Sequence, residues 1–367
     1  MTQPRRLAIV HEWLDKTGGS EQVFNEMADT FPPADLWALW NTTPPREDGR
    51  AVRESWLART PLRGHKAAAL PLMPLAWRTL SRSSHYDIVV SSSHCMSHAV
   101  RFYGSKGTRY LSYVHTPMRY IWLPELDPRA GASFIRRSVM TPLRSVDRLL
   151  TKGVSSFAAN SEEVRRRIEL FWQRPSRVIY PPVDTTFFHF TPPSTRLPFS
   201  EYLIAVSRWT PYKKVDLAIR IAQESRMPLV IVGSGPDEPR LRAIARNSCR
   251  PVVFERQPAR NRIRELYSGA SALLFPVHED FGIVPVEALA CGTPVVGLGR
   301  GGLLETVQHG KTGWLAPTAD LASMVEGVKR VRTFTGPHLR ESVLRFSRTR
   351  FRREFSAWID DEADLCR

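Results

Sequence analysis

His278-Glu279-Asp280-Phe281-Gly282-Ile283-Val284-Pro285-Val286-Glu287-Ala288, followed by Cys291-Gly292-Thr293-Pro294-Val295-Val296, reads as a strand end, a turn and a helix start. Two carboxylates, Glu279 and Glu287, flank the turn. Gly282 lets a backbone N–H approach a ligand with no Cβ in the way. The free amides of Gly282, Ile283 and Val284 form the positive end of the helix, so the segment predicts a seat for a diphosphate. A carboxylate accepts paired hydrogen bonds from vicinal hydroxyls and repels phosphate, so Glu279 is expected to face a sugar and Glu287 a ribose. An ordinary strand, turn and helix with two solvated glutamates is the alternative that a lone pair of glutamates would leave open.

Around this block the second half of the chain alternates strands and helices. Strands are expected at Tyr202 to Ser207, Leu229 to Gly233, Val252 to Phe254, Ala272 to Pro276, Pro294 to Leu298 and Gly313 to Leu315. Helices fall at Val215 to Gln223, Asp237 to Arg246 and Asn261 to Gly269. The first half opens in the same way, with the apolar strand Leu7 to Val10, the turn Thr17-Gly18-Gly19-Ser20 and an amphipathic helix through Val23, Phe24 and Met27. Further strands are expected at Leu36 to Leu39, Ile88 to Ser91, Thr108 to Val114, Ser156 to Ala159 and Arg177 to Tyr180. Pro181-Pro182-Val183-Asp184 and the Pro-rich segment Thr191 to Pro198 suit a linker. The expectation is therefore α/β, with two doubly wound domains over residues 1–185 and 186–345. Read alone, Phe346 to Trp358 is one more helix on the second domain.

A chain of 367 residues has room for two such cores. No apolar run is long enough to span a bilayer. Met1 to Arg6 leads straight into the first strand without a signal-like hydrophobic region, so a cytoplasmic protein is expected. Cys95, Cys249, Cys291 and Cys366 show neither C-x-x-C nor Cys/His ligand spacing and read as reduced thiols. The net charge of +16 calls for an anionic partner: nucleic acid, anionic membrane or phosphate-bearing small molecules. Aromatic residues do not interleave with Arg and Lys in an RNA-binding motif, so nucleic acid is not expected.

Arg208 and Lys213, in Val206-Ser207-Arg208-Trp209-Thr210-Pro211-Tyr212-Lys213-Lys214, stand where a strand passes into a helix, the place where ligands bind in open α/β sheets. Fixed cations there stabilise the charge that grows on a departing nucleoside diphosphate. No Asp-x-Asp follows a strand to hold a divalent ion on that diphosphate, so no metal and no other cofactor is expected.

The two glutamates and the Ala-Cys-Gly-Thr-Pro run after them resemble the E-x7-E signature of glycosyltransferase family 4, retaining enzymes of the GT-B fold. The resemblance spans nearly the whole chain. It implies two Rossmann-like domains facing across a cleft, an acceptor-binding first domain and a nucleotide-sugar-binding second. It also implies a last helix, 346–367, that packs back on the first domain. By resemblance Arg208 and Lys213 are the family's Arg and Lys pair. Gly18 and Gly19 are its N-terminal glycine turn, and His115, in Tyr113-Val114-His115-Thr116-Pro117, contacts the donor sugar at its reacting edge. Catalytic roles thus fall to His115, Arg208, Lys213 and Glu279, and donor contacts to Gly18, Gly19, Gly282, Ile283, Val284 and Glu287. Phe254-Glu255-Arg256 departs from the family pattern beside the expected base.

Val10-His11-Glu12-Trp13-Leu14 and Ser91-Ser92-Ser93-His94, with Tyr113 to Tyr120, look like bacterial mannosyltransferases of O-antigen and exopolysaccharide assembly. That narrower resemblance implies a mannosyl group taken from GDP-mannose. It also implies a polyprenyl-diphosphate-linked or other glycan acceptor at the inner face of the plasma membrane. Two basic stretches suit peripheral attachment to an anionic leaflet. In one, Arg53, Arg59, Arg63, Lys66 and Arg78 are mixed with Trp56, Leu57, Leu70, Leu72 and Trp77; the other runs Arg129, Arg136, Arg137, Arg144, Arg148, Lys152. Two other functions stay open on the residues: a UDP-sugar-dependent transferase on another acceptor, and a catalytically silent GT-B binding module.

Overall fold

The computed structural model describes residues 5–15, 18–81, 84–102, 107–124, 134–192, 194 and 197–365, without side chains over 134–140. The chain divides into two compact units, Met1–Pro182 with Thr349–Arg367, and Val183–Arg348, so the division falls at Pro182/Val183 rather than at the expected 185/186.

The first unit is built on seven strands: β1 (Leu7–His11), β2 (Asp35–Ala38), β3 (Val52–Glu54), β4 (Ile88–Ser93), β5 (Arg109–Val114), β6 (Ser156–Ala159) and β7 (Arg177–Val178). Their order is β3-β2-β1-β4-β5-β6-β7, and every pairing is parallel. Parallel sheets are covered on both faces, which is why β1 and β4 are buried at every position. β4 breaks the apolar rule with three buried serines, Ser91, Ser92 and Ser93, each of which needs a polar partner. The edge strand β3, Val52-Arg53-Glu54, lies half in solvent and was not among the expected strands.

The helix Arg348–Asp364 completes this unit, placing Phe351, Phe355, Trp358 and Ile359 in one core with Ile9, Val90, Leu111 and Tyr113. The Trp358 indole donates to Ser156 Oγ at 2.9 Å, and Arg352 reaches Glu26 at 2.5 Å.

The second unit has six strands: β8 (Leu203–Arg208), β9 (Leu229–Ser234), β10 (Val252–Arg256), β11 (Ala272–Phe275), β12 (Val295–Leu298) and β13 (Gly313–Ala316). They run parallel in the order β10-β9-β8-β11-β12-β13. The helix Val215–Glu224 buries Ala218, Ile219, Ile221 and Ala222 in the core of this sheet.

Both orders reverse once. The chain leaves β1 for β2 on one side and returns to β4 on the other; in the second unit β8 and β11 play the same parts. In open α/β sheets the carboxyl ends of such strand pairs are where a crevice forms and ligands bind.

Candidate active site

In the second unit the switch point gathers the charged residues singled out in the sequence. Arg208 closes β8, and Lys213 ends the short helical turn Pro211–Lys213 that follows it. Tyr212 lies between them: its hydroxyl accepts from Arg208 Nη2 at 2.8 Å, and Lys213 Nζ sits 5.3 Å from its ring centroid. Lys213 Nζ donates to Glu279 Oε1, so a cation from the β8 loop and a carboxylate from the β11 loop meet across the switch point.

Glu279 is propped from beneath by the glycine-rich loop after β12. It pairs with Gly301 in a short parallel bridge, and the Gly302 N–H donates to its carbonyl at 2.9 Å. A Cβ on Gly301 would fall 2.4 Å from that carbonyl oxygen, and one on Gly302 would fall 2.3 Å from Phe281 Cα, so glycine alone permits the contact.

The helix Ile283–Ala290 begins directly beyond, with Gly282 as its N-cap at φ +88°, a left-handed conformation natural to glycine. The first-turn amides of Ile283 and Val284 lack partners within the helix, as at any helix start. Glu287 points from this short helix to the Tyr267 hydroxyl, which donates to its Oε2 at 3.2 Å. Burial pushes the Glu287 carboxyl up to about 7, against the opposing effects of Tyr267 and Arg260. Glu287 therefore keeps its proton to higher pH than an ordinary carboxyl when nothing else donates to it. Tyr267 was not anticipated: it comes from the neighbouring helix Arg260–Ser268, and no motif marks it.

The departure Phe254-Glu255-Arg256 lies on the edge strand β10, where Glu255 is held by Arg262 at 2.9 Å and Phe254 packs edge-on against Trp209.

The first unit's switch point holds the other expected residues. Gly18 is the N-cap of the helix Gly19–Thr30, in extended conformation at φ −175°, and Gly19 opens the helix. Thr17, the first residue of that turn, lies outside the described residues. His115 follows β5, is 9% exposed, and its Nε2 lies 2.8 Å from Ser92 Oγ. His11 Nδ1 bonds the carbonyl and hydroxyl of the same serine, each at 3.0 Å. Glu12, fully buried, accepts the amides of His94, Cys95 and Ser97 on Oε1, at 3.0, 2.8 and 3.1 Å, and the Ser93 hydroxyl at 3.2 Å. Two of the buried serines of β4, Ser92 and Ser93, thus serve a cluster of histidines and Glu12, while Ser91 donates to the Leu111 carbonyl at 3.3 Å.

His94 Nδ1 stands 3.1 Å from Glu12 Oε2. Burial raises the carboxyl and the neighbouring His94 and His11 lower it; the net effect holds Glu12 well below the ordinary carboxylate range. For His94 the balance runs the other way: burial lowers its pKa, Glu12 raises it more, and the imidazolium is favoured. His11 is lowered, chiefly by burial. Among the described residues one group of side chains is arranged to take a metal ion, His11, Glu12 and His94, with one ligand atom from each within 4.8 Å of the others.

The structure therefore assembles the predicted residues in two sets, Arg208, Lys213, Glu279, Gly282, Ile283, Val284 and Glu287 in one unit and Gly18, Gly19 and His115 in the other.

Two family models match this chain. Residues 17–187 fit the family described as Glycosyltransferase Family 4, and residues 194–340 fit Glycosyl transferases group 1. The chain belongs to these glycosyltransferases, and its two parallel-sheet α/β units have the GT-B fold.

Among curated relatives, a D-inositol 3-phosphate glycosyltransferase of Acidothermus cellulolyticus is 34% identical over 210 residues, 50% of this chain and 46% of the relative. One of the same description from Mycobacterium tuberculosis is 30% identical over 220 residues, 53% of this chain and 45% of the relative. The match spans about half the length of these relatives. Among solved structures, a sucrose-phosphate synthase of Thermosynechococcus elongatus superposes with a TM-score of 0.77 at 17% identity, covering 99% of this chain and 100% of that one. Anabaena HepE in complex with UDP and glucose gives a TM-score of 0.71 at 15% identity, covering 97% and 100%.

Proposed function

We propose that the protein transfers a hexosyl group from a nucleoside-diphosphate sugar to a hydroxyl acceptor with retention of anomeric configuration. The observation that carries this reading is the meeting of Lys213 and Glu279 across the β8/β11 switch point, directly before the glycine-capped helix start at Gly282. Arg208 and Lys213 hold the diphosphate, the amides of Gly282, Ile283 and Val284 cradle it, Glu279 binds the sugar and Glu287 the ribose. Donor entry breaks the Lys213–Glu279 pair and gives each partner a ligand of opposite charge or matching hydroxyls. For His115, Gly18 and Gly19 of the first unit we keep the donor-contact role that the family resemblance implies.

The bond from the anomeric carbon to the diphosphate oxygen breaks, the bond to the acceptor oxygen forms on the same face, and the acceptor proton passes to the departing diphosphate. The charge is met by fixed cations and amides, and no metal on the diphosphate is required by this scheme.

The donor is mannosyl in GDP-mannose on the motif resemblance of Val10 to Leu14, Ser91 to His94 and Tyr113 to Tyr120, and the acceptor a lipid-linked glycan. A UDP-sugar is the second reading, favoured by the fold neighbour solved with UDP and glucose. The relatives named for inositol phosphate favour, within either reading, a small phosphorylated acceptor over a lipid-linked one.

Peripheral attachment to an anionic leaflet belongs to the first reading. No helix among the described residues is long and apolar enough to cross a membrane. The exposed Trp56, Leu72, Leu75, Val146 and Leu149 and the exposed Arg59 and Lys152 supply apolar and basic surface. Several of the expected cations are spent within the fold: Arg53 on Asp35, Arg63 on Glu54, Lys66 on Asp15, Arg144 on the Ile121 carbonyl and Arg148 on that of Phe171. Trp77 and Leu57 are core residues. Arg129 lies outside the described residues, as do the side chains of Arg136 and Arg137. Flotation with anionic liposomes at low salt tests the attachment.

The decisive experiment is a thermal-shift series with GDP-mannose, UDP-glucose and UDP-N-acetylglucosamine, with and without added Mg²⁺, because a ligand bound only by the native state raises the melting temperature. A shift with GDP-mannose alone, unchanged by Mg²⁺, supports the first reading. Preference for a UDP-sugar replaces the donor, and no shift with any of the three removes the transferase reading.

A further inference from the structure

We propose that His11, Glu12 and His94 of the first unit form a zinc site. The three ligands come from two chain segments that only folding unites. β1 ends at His11, β4 ends at Ser93, and the parallel register sets His11 opposite Ser92, so the residues just beyond both strands share one edge of the sheet.

The donor set suits the ion. Two imidazoles and a carboxylate are ligands zinc takes readily, whereas magnesium and calcium prefer oxygen throughout. The spacing suits it as well. Bonds of about 2.0–2.2 Å at tetrahedral angles put ligand atoms roughly 3.3–3.6 Å apart. Here Glu12 Oε2 lies 3.1 Å from His94 Nδ1, and one ligand atom from each of the three residues lies within 4.8 Å of the others.

The surroundings are those of a ligand set whose outer contacts are already made. Metal-binding carboxylates and histidines are held from behind by backbone groups and other side chains. Glu12 spends Oε1 on three backbone amides, and His11 is anchored by Ser92. What remains is unspent. Glu12 Oε2 and His94 Nδ1 face each other, and neither they nor His11 Nε2 makes a hydrogen bond elsewhere among the described residues. Glu12 and His11 are fully buried, and a carboxylate oxygen at such depth needs a positive partner, which is the His94 imidazolium when no metal is bound and the ion when zinc displaces that proton. His94 is the accessible member, with 24% of its side chain exposed, and gives the ion a path inward. Cys95, next in sequence, is no ligand: its Sγ faces the Tyr120 hydroxyl at 3.1 Å and Met118 Sδ at 3.7 Å.

This site is independent of the transfer reading. The test titrates the full chain, stripped by chelation and desalted, with zinc alone against a competing zinc indicator. One equivalent is expected. His94→Ala and Glu12→Gln should each weaken binding at least tenfold, as loss of a ligand or of its support does, while His309→Ala, in the second unit, should bind as wild type. Cobalt in place of zinc should give visible absorption bands that His94→Ala loses. Glu12 is buried and its variant can fail to fold, so the part-exposed His94 carries the decision, with the far-UV circular dichroism melt confirming that its variant is native. A wild-type protein that takes up no zinc, or uptake that survives His94→Ala, overturns the site. Nucleotide binding is measured separately, so failure of the donor reading leaves this result standing.

Discussion

The switch points of the two units have one topology and opposite chemistry. At β8/β11 the charged groups are part-exposed and come as complements: Arg208 and Lys213 from one loop, Glu279 from the other, with a helix N-terminus behind. At β1/β4 the polar groups are buried and bonded to each other: Glu12 to three amides, His11 and His115 to Ser92. A charged edge of this kind can exchange its internal pair for a ligand that brings opposite charge to one partner and hydroxyls to the other. A buried network exchanges nothing cheaply, and its value lies in holding side chains in one geometry. The second unit is therefore expected to respond to nucleotide and the first to changes in packing.

The largest effect on that contrast comes from the helix Arg348–Asp364, which belongs to the first unit. Phe355 is fully buried between Phe351 and Trp358, and Phe355→Ala should cost about 3–5 kcal/mol. Chemical denaturation should show the loss in the first unit, with nucleotide affinity retained. A matching loss of nucleotide affinity would mean that the units do not act separately.

Next in size are the cations and the first glutamate. Lys213→Ala and Glu279→Gln should each lower kcat by about 10²–10³-fold, the usual cost of removing one group that stabilises developing charge. The melting temperature should fall as well, because the Lys213 and Glu279 side chains are only 14% and 18% exposed and each variant takes from the other its partner in the pair. Initial rates on the donor found by thermal shift measure this, and wild-type turnover in either variant would remove the pair from the site.

How much of this was legible beforehand follows from what sequence encodes locally. β1, β8 and β9 are buried on both faces and show themselves as apolar runs, whereas β3 is a half-exposed Val-Arg-Glu edge with no such signature. The Gly282 turn was readable because its chemistry sits within one contiguous block. The Lys213–Glu279 pair spans 66 positions and needed the adjacency of β8 and β11, which motif resemblance supplied indirectly. Glu12 and His94 stand 82 positions apart, and their motifs were visible while their meeting was not. Tyr267 reaches Glu287 from another helix, a contact that no spacing encodes. Trp77 and Leu57, mixed with arginines in sequence, suggest a membrane face and prove to be core, because a run of aromatic and basic residues does not say which side chains turn inward.

Glu287 gives the contrast a pH dependence. Its carboxyl, at about 7, holds a proton that the unfolded chain releases near the ordinary value of 4.5. The folded state therefore binds more protons between these values, and stability is lost as pH rises through this window toward 8. The melting temperature of the unliganded second unit should fall over that range, and Glu287→Gln should flatten the fall. Ribose hydroxyls donate to the ionised form, so nucleotide binding should release protons near neutrality and tighten up to about tenfold per pH unit below 7. Calorimetry in buffers of different ionisation enthalpy measures the release. An affinity independent of pH between 6 and 8 would place Glu287 outside the nucleotide site.

The smallest effect compares the two glycine turns directly. Gly282 sits at φ +88°, and a Cβ there meets nothing closer than Pro285 Cδ at 3.5 Å, so the cost of Gly282→Ala is conformational. A left-handed alanine costs about 1–2 kcal/mol. For a unit of this size each kcal/mol lowers the melting temperature by roughly 2–4 °C. Gly18, at φ −175°, is extended backbone that any residue adopts. A Cβ on Gly18 falls 2.0 Å from Glu21 Oε2, the far end of a side chain that can turn away, and Gly18→Ala should cost less than Gly282→Ala. The turn of the second unit is thus glycine for its backbone and that of the first for its side-chain space. Thermal melts of the two variants separate these causes. Equal losses would show that the left-handed cap at Gly282 is not what holds the amides of the second unit in place.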